Sequence, residues 1–334
     1  MPRQTNIELL RIISMLMVLT VHIDGASLGM PDTAGGIAAL SARDIWQITV
    51  EAAAIIGVNC FTMISGYFGI HLRWRSVGAY LFQCLFYAVG IYTLVLLAGR
   101  CTWAQWWQSW LVLSHTDLWY VPAYFGLMLL SPLLNAGTEA LPRHTFRNLL
   151  AAFILLNIWC GWWWRAPFNP TGYTLVQLIM VYLIARYMRL HISVESLHRH
   201  RRSLLGAYLA ATVAIALSAI WLPDRAYAYN SPLVLISTVA LFGWFHTLHI
   251  ESRHLRRIAR SAFAVYLLHK TPPVWGGLIK PAVRHLWATE SLAIFTLAAL
   301  LLAVAIYLIT IPIDAIRRRL SDIILQKIEN NLHN

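Results

Sequence analysis

Charged side chains are scarce in this sequence. Asp, Glu, Lys and Arg make up 12% of the 334 residues, whereas a soluble globular domain carries about a quarter. Hydrophobic residues reach 59%, and the mean hydropathy is +0.60. The composition therefore excludes an ordinary soluble domain and favours an all-α integral membrane protein, because helices satisfy their own backbone hydrogen bonds in lipid.

Acidic residues and cysteines are also few. The chain has 14 Asp and Glu against 26 Lys and Arg, which gives a formal net charge of +12. The basic residues lie in the loops between apolar segments, so their distribution indicates membrane topology and not a surface for nucleic acid. The four cysteines show neither metal-site spacing nor a disulfide framework. We therefore expect no bound metal and no nucleic-acid partner.

Long apolar runs are what the sequence has, and they predict a bundle of about ten transmembrane helices. The first run has no cleavage site and leads directly into the second, so we expect a retained helix and not a signal peptide. Apart from Arg11, eighteen Lys and Arg fall on one side of these runs and seven on the other. Both termini are therefore expected in the cytoplasm. The predicted spans are 6–23, 45–69, 77–99, 118–136, 146–164, 172–190, 203–221, 231–249, 261–280 and 291–313.

Two tryptophan-rich stretches and the C-terminal tail are expected at the membrane surface. The stretch "TWAQWWQSWLVL" (102–113) has tryptophans at helical spacing and predicts an interfacial helix on the outer side. The stretch "WCGWWW" (159–164) lies at the outer end of the fifth span. An aromatic belt explains both stretches, and stacking on a saccharide is the alternative. Residues 1–316 are expected to form one ten-span domain, and 317–334 an amphipathic cytoplasmic tail.

Two ionisable residues lie within the first apolar run, "NIELLRIISMLMVLTVH". Arg11 and His22 are eleven positions apart, which is about three helical turns, so they share one face about 16 Å apart along the axis. Charged groups at such depth normally face a cavity or the interior of a bundle. The alternative is that Arg11 reaches the cytoplasmic headgroups and His22 lies at the interface.

The polar residues of the other spans predict two polar zones. The outer zone contains His22, Glu51 and Asp117, with Asp24 as a further candidate, and these groups suit acid–base chemistry. Glu51 is expected to pair with His22, and a different basic partner or a place in an outer vestibule is the alternative. The cytoplasmic zone is cationic enough for a phosphate-bearing ligand. Its members are Arg11, Ser65, Tyr67, Arg73 and Arg75.

The ninth span, "SAFAVYLLHKTPPVW", carries two ionisable residues before a pair of prolines. His269 and Lys270 precede Pro272 and Pro273, and prolines disrupt a helix. This order predicts a break that lines a cavity. The alternative is that the span ends at Lys270 and the chain re-enters the membrane.

Four segments occur in an order and topology typical of one family. They are Arg11-x10-His22, "MISGYF" at the end of the second span, "LWYVPAYFGLMLLSPLL" and "SAFAVYLLHK". Together they resemble the membrane acyltransferase-3 family of ten-span O-acyltransferases, over essentially the whole chain. The resemblance implies an acyl-CoA donor, usually acetyl-CoA, and a saccharide or lipid-linked saccharide acceptor. It also implies a bacterial inner membrane, whose lipids surround the protein.

The resemblance also implies roles for single residues. His22 corresponds to the histidine that the thioester reaches, and Ser65-Gly66-Tyr67 matches the Ser-Gly-Tyr/Phe element of the family. The basic pair after the second span is more closely spaced than the common Arg-x-x-Arg, and Asp117 stands where relatives often have His. The residues expected to bind the acyl donor are Arg11, Ser65, Tyr67, Arg73, Arg75 and His269.

We therefore expect a membrane O-acyltransferase. His22, held by Glu51 or Asp117, would take the proton from a saccharide hydroxyl, and the oxygen would attack the thioester. A variant in which His22 is acylated first is left open. The alternative function is a multi-span transporter or flippase for a lipid-linked saccharide. The acceptor, the acyl group and the oligomeric state are not predicted.

Overall fold

The computed structural model describes residues 4–114 and 118–332, with only the backbone described at Glu329 and Leu332. All regular structure in these ranges is helical, which confirms the predicted all-α class. The α-helices are α1 (Thr5–Val21), α2 (Ala42–Ala54), α3 (Gly57–Phe68), α4 (Trp74–Leu97), α5 (Trp103–Gln108), α6 (Tyr120–Ala140), α7 (Arg143–Leu156), α8 (Leu175–His191), α9 (Val194–Arg199), α10 (Arg201–Trp221), α11 (Pro223–Ala226), α12 (Pro232–His246), α13 (Arg253–Ala259), α14 (Ala262–Lys270), α15 (Pro272–Val274), α16 (Lys280–Thr289) and α17 (Leu292–Leu332). Short π-helical segments follow α1, α7 and α15, at His22–Ala26, Asn157–Trp163 and Trp275–Ile279.

The helices form two compact units. The first unit comprises Met1–Ile70 and Leu130–Ala259, and the second comprises His71–Leu129 and Arg260–Asn334. Each unit is described below by itself.

Several of the helices have the length and apolarity of membrane spans. Each of the ten predicted spans overlaps a helix. Five helical segments of the described chain are long and apolar enough to cross a membrane, and Pro232–His246 is an apolar helix of shorter length. The membrane character is thus supported, while the count of ten crossings stays a prediction. The five segments are Thr5–Ala26, Ala42–Phe68, Trp74–Leu97, Arg201–Trp221 and Leu292–Ile328.

Two glycines of α3 allow close packing in the first unit. A Cβ atom at Gly57 would lie 2.7 Å from the carbonyl oxygen of Ser14 in α1. A Cβ atom at Gly66 would lie 2.5 Å from the carbonyl oxygen of Tyr182 in α8. Small residues let the backbones of membrane helices approach closely. The helix α3 therefore lies backbone to backbone against α1 at one glycine and against α8 at the other.

The end of α3 is fixed by a small hydrogen-bonded cluster. Gly69 ends the helix with φ = +75°, a conformation that glycine adopts without strain. The backbone N–H of Ile70 donates to Tyr182 Oη at 3.0 Å, and Tyr182 Oη donates to Asn135 Oδ1 at 2.7 Å. Asn135 Nδ2 in turn donates to the carbonyl oxygen of Ile70 at 2.9 Å. These bonds set where the "SGYF" segment of α3 lies in the first unit.

The second unit contains a buried ionic cluster in its last helix. Asp314 is fully buried and accepts hydrogen bonds from Arg317, at 2.7 and 3.0 Å, and from Arg318. Ser261 Oγ donates to Asp314 Oδ2 at 3.0 Å, which ties the start of α14 to α17. The helix α17 runs without interruption through position 316, so the expected tail begins inside a helix.

The helix of the ninth span is interrupted, which fits both the predicted break and its alternative, while the lining of a cavity stays a prediction. The helix α14 ends at Lys270, and Thr271 caps it with an extended ψ of 128°. The chain continues through α15, a π-helical segment and α16 as far as Thr289. Prolines at the first positions of α15 explain the interruption, because they lack the N–H that would continue the hydrogen bonding of α14.

The first tryptophan-rich stretch forms a short helix, as predicted. Thr102 and Gln105 form a capping box at the N-terminus of α5. Trp103 and Trp107 are exposed, whereas Trp106 Nε1 donates to Thr93 Oγ1 at 2.8 Å. The exposed rings fit a helix in the membrane interface, and that location stays a prediction.

Candidate functional site

The π-helical segment after α1 begins at His22. The α-helical pattern of hydrogen bonds ends at Val21, and residues His22–Ala26 form the wider π turn. Ser27 Oγ donates to the carbonyl oxygen of His22 at 2.9 Å and so closes the segment. Turns of this kind occur often at functional sites, because they change the direction of side chains within a helix. His22 is half-buried.

A buried carboxyl group lies within this π turn. Asp24 has no exposed surface, and Gln47 Nε2 of α2 donates to its Oδ1 at 2.9 Å. Asp24 Oδ2 is buried and has no hydrogen-bond partner among the described residues. The helix α2 thus holds one oxygen of Asp24 and leaves the other available for a further interaction.

A second buried carboxyl group, that of Glu51, packs on the same turn. The backbone N–H of Gly25 donates to Glu51, and a Cβ atom at Gly25 would lie 3.2 Å from Glu51 Oε1. Glu51 is 5% exposed, and its Oε2 has no hydrogen-bond partner in the described part of the chain. The glycine therefore provides both a donor and the space that the Glu51 carboxyl group occupies.

These contacts place His22, Asp24 and Glu51 in one region of the first unit. The predicted pairing of Glu51 with His22 stays a prediction, and the contact observed for Glu51 is with the turn that His22 begins. Asp24 was only a secondary candidate from the sequence. In a regular helix it would point about 200° away from His22 around the axis, so spacing alone did not group the two residues.

Tyr227 adds a hydroxyl group near the two carboxyl groups. Its Oη donates to the carbonyl oxygen of Ile48 at 3.1 Å. Burial raises the pKa of Tyr227 above its ordinary value, and negative charge on Glu51 and Asp24 raises that pKa further. Tyr227 therefore stays protonated at neutral pH, and its hydroxyl remains a hydrogen-bond donor.

A network of buried amide side chains holds the loops beside this region. Asn59 Nδ2 and Gln177 Nε2 both donate to the carbonyl oxygen of Tyr229, at 3.0 and 2.8 Å. Asn230 Nδ2 donates to the carbonyl oxygen of Asn169 at 2.6 Å. The network thereby links α3 and α8 to the loop that precedes α12, which also carries Tyr227.

Three of the predicted donor-binding residues lie in the first unit. Arg11 is 28% exposed and forms an ion pair with Glu8 at 3.7 Å. Ser65 Oγ donates to the carbonyl oxygen of Phe61 at 3.1 Å, within α3. Tyr67 is 3% exposed, and its ring centroid lies 4.2 Å from that of His246. Arg11 and Ser65 are partly exposed, whereas Tyr67 is buried.

The other predicted donor-binding residues lie in the second unit. Arg73 is an exposed residue at the N-cap of α4, and Arg75 is 47% exposed and lies 4.0 Å from Asp322. His269 is fully buried, with Nδ1 2.6 Å from the carbonyl oxygen of Val265. Asp117 lies outside the described residues, so its predicted catalytic role has no structural counterpart here.

Comparison with known proteins gives one family. The acyltransferase-3 family model, described as an acyltransferase domain, matches residues 4–312. No curated protein and no solved structure matches the chain. The matched region includes the π turn with its two carboxyl groups and every residue predicted to bind the donor. Because the match covers nearly the whole helical chain, the protein belongs to the acyltransferase-3 family of membrane acyltransferases.

Proposed function

We propose that the protein transfers an acyl group, with acetyl as the expected group, from acyl-CoA to a hydroxyl group of a surface or lipid-linked saccharide. His22 is the general base of this reaction. Family membership supports the reaction class. The observation that carries the assignment to His22 is the π turn that begins at this residue, with two buried carboxyl groups packed on it.

The reaction forms an ester bond and breaks a thioester bond. The imidazole of His22 takes the proton of the acceptor hydroxyl while the oxygen attacks the thioester carbonyl. The tetrahedral intermediate then collapses, the C–S bond breaks and the thiolate of CoA leaves. The imidazolium returns the proton to the thiolate sulfur, so the base is regenerated and no net proton is released.

The surrounding groups assist this proton transfer. A carboxylate near a histidine stabilises the imidazolium that forms in the transition state, and Asp24 and Glu51 each provide an unpaired buried oxygen. A positioned general base contributes about 10²- to 10⁴-fold to the rate. Tyr227 provides a neutral hydroxyl that donates a hydrogen bond without adding charge.

The protein is proposed to lie in a bacterial inner membrane with both termini in the cytoplasm. The acyl donor is proposed to enter the protein from the cytoplasmic side. Arg11 lies about 16 Å below His22 along α1 and is partly exposed, which suits the phosphate end of acetyl-CoA. The guanidinium groups of Arg73 and Arg75 are exposed cations in the second unit and are proposed as further contacts of the donor. His269, which is buried, is kept as a proposed donor residue from the resemblance alone.

The proposal is tested by replacing the base and analysing the surface glycan. Strains that carry wild-type protein, His22→Ala or no protein are compared by mass spectrometry of the surface polysaccharide. We expect the acyl modification in the wild type only. His200→Ala is the matched control, because this histidine is exposed on the loop before α10 and its loss should leave the modification unchanged. Full modification with His22→Ala contradicts the base assignment, and reduced export of unmodified glycan favours a carrier.

A further inference from the structure

A polar cavity lies at the start of α1, away from the carboxyl groups of the π turn. Its volume is about 760 Å³, within the range of small-molecule sites, about 300–1,000 Å³. His198, His246, His249, Glu251, Arg256 and Asn6 are among the residues that line it. Asn6 precedes His22 by sixteen residues, about 24 Å along a helix axis. The cavity is therefore separate from the π turn and its carboxyl groups.

The histidines of the cavity present flat rings. The ring centroids of His198 and His249 are 5.1 Å apart, with 32° between their planes. His246 is 5% exposed and packs on Tyr67, and its Nε2 has no hydrogen-bond partner in the ranges that the structure describes. A buried ring nitrogen without a partner is unusual in proteins. Planar rings with remaining hydrogen-bonding capacity suit an aromatic, polar ligand such as a nucleotide base.

The segments that form the cavity are strongly basic. Arg256 lines the cavity, and its guanidinium Nη1 donates to Thr5 Oγ1 at 2.9 Å. The segment 193–202 contains one acidic residue, Glu195, and the segment 249–257 contains one, Glu251. Clustered charge of one sign raises the local concentration of ligands of the opposite sign. Exposed arginines in these two segments are Arg199, Arg201, Arg202, Arg253 and Arg257.

We propose that this cavity binds a phosphate-bearing nucleotide. Basic segments attract the phosphates, Arg256 contacts them, and the histidine rings accommodate the base. The nucleotide is assigned to the end of the acyl-CoA donor, and this assignment rests on the proposed function. A free nucleotide has the same chemistry and is the other source that the experiment must separate.

The positions along α1 agree with a donor that extends from this cavity toward His22. Arg11 lies about 7.5 Å beyond Asn6 along the helix axis, and His22 about 24 Å beyond it. Along α1, the cavity therefore comes first, the cation Arg11 second and the proposed base His22 third. In acyl-CoA the order is nucleotide, diphosphate, thioester, so each group meets a fitting partner in sequence.

Nucleotide binding is measured by calorimetry on the purified full-length protein in lipid nanodiscs. The probes are CoA, adenosine 3′,5′-bisphosphate and ATP. Arg256→Gln should weaken CoA binding by about tenfold or more, the effect of losing one hydrogen bond to a charged group. His249→Ala should weaken it by a similar factor, the effect of losing a ring on which the base stacks. His254→Ala is the matched control, since this histidine is exposed on the same segment and does not appear in the cavity wall.

The outcomes separate the proposals. Unchanged CoA affinity in Arg256→Gln and His249→Ala, with thermal unfolding like the wild type, overturns the cavity assignment. If one variant does not fold, His198→Ala replaces it. Tight ATP binding that the same variants weaken, together with unaltered CoA affinity and acyl transfer, supports a nucleotide cavity but refutes its assignment to the donor. CoA binding that depends on the cavity, in a protein without acyl transfer, supports the cavity and refutes the proposed function.

Discussion

The side-chain amide of Gln47 donates a hydrogen bond of 2.9 Å to Asp24. Gln47 lies in α2, one turn before Glu51. The same amide donates to the carbonyl oxygen of Gly29 at 3.1 Å. Residues four apart lie above each other on a helix, so α2 holds the π turn with two neighbouring side chains. A change at Asp24 therefore alters the surroundings of Glu51 and of the proposed base.

Asp24→Asn should slow acyl transfer while donor binding stays intact. The variant keeps an oxygen for the Gln47 amide but removes a carboxyl group from the π turn that the proposed base begins. We expect kcat to fall about tenfold to a hundredfold, less than the full contribution of a general base. The KM for acyl-CoA should not change. Initial rates with labelled acyl-CoA and membranes that contain the acceptor measure both parameters.

Asp32→Asn is the control for this variant. Asp32 is an exposed loop residue whose Oδ1 accepts a hydrogen bond from the backbone N–H of Ala34 at 2.9 Å. Its replacement removes the same charge without touching the π turn, so the rate should match that of the wild type. Equal loss of rate in both variants would assign the effect to net charge and not to the position of Asp24.

The sequence predicted part of this region correctly and could not predict the rest. Spacing along an α-helix placed Arg11 and His22 on one face, and both residues lie on α1 or at its end as expected. The π turn could not be predicted, because its contacts are with Gln47 and Glu51 of α2, which are distant in the sequence. Asp24 was only a secondary candidate in the sequence, and the hydrogen bond from Gln47 is what groups it with Glu51 on the turn.

Helix breaks and buried amides show the same limit. Pro272 and Pro273 act locally, so an interruption near them was predictable, although the end of the helix at Lys270 was only the alternative. Asn169 and Gln177 lie far from Asn59 in the sequence, and their shared network exists only after the helices pack. Features that depend on neighbouring residues could therefore be predicted from the sequence, whereas hydrogen bonds between residues distant along the chain could not.

Gly66→Ala should destabilise the protein. The added Cβ would lie 2.5 Å from the carbonyl oxygen of Tyr182 and 2.9 Å from Cβ of Ala185. Backbone atoms cannot move aside as the end of a flexible side chain can, so α3 and α8 must separate. Overpacking of this kind costs about 1–3 kcal/mol. Thermal unfolding in detergent or in nanodiscs measures the loss.

Gly206→Ala is the matched control for the packing prediction. Gly206 lies inside α10, and a Cβ atom there would meet nothing within 4 Å. Alanine is favoured over glycine in a helix by about 1 kcal/mol, so this variant should be as stable as the wild type or more stable. If Gly66→Ala and Gly206→Ala have the same unfolding temperature, α3 and α8 do not approach as closely as the structure shows.

Asn169→Ala should weaken the buried amide network. Asn169 Nδ2 donates to Asn157 Oδ1 at 2.8 Å, and its Oδ1 accepts from Thr174 at 2.7 Å. The variant leaves buried polar atoms without partners, at a cost of about 1–3 kcal/mol for each. The loop with Tyr227 should also loosen, so KM for the acceptor should rise. Unfolding and acceptor titrations test the two effects.

The control for the network is Asn148→Ala. Asn148 is exposed, and its side chain contacts the neighbouring Arg147. Surface changes of this type usually alter stability by less than about 0.5 kcal/mol. A similar loss of stability in both asparagine variants would show that the amides of the network contribute no more than surface amides do.

Tyr227 should make the stability of the protein fall at high pH. Burial and the nearby carboxylates raise its pKa in the folded protein, whereas an unfolded tyrosine ionises near about pH 10. Above that pH the unfolded chain releases a proton that the folded chain keeps, so stability decreases as pH rises. Tyr227→Phe removes this group, and its unfolding temperature should therefore fall less than that of the wild type between pH 9 and pH 11, two values that bracket about pH 10. Parallel curves for the two proteins would mean that Tyr227 ionises as easily when folded as when unfolded. Its hydroxyl would then not lie in the electrostatic field of Glu51 and Asp24.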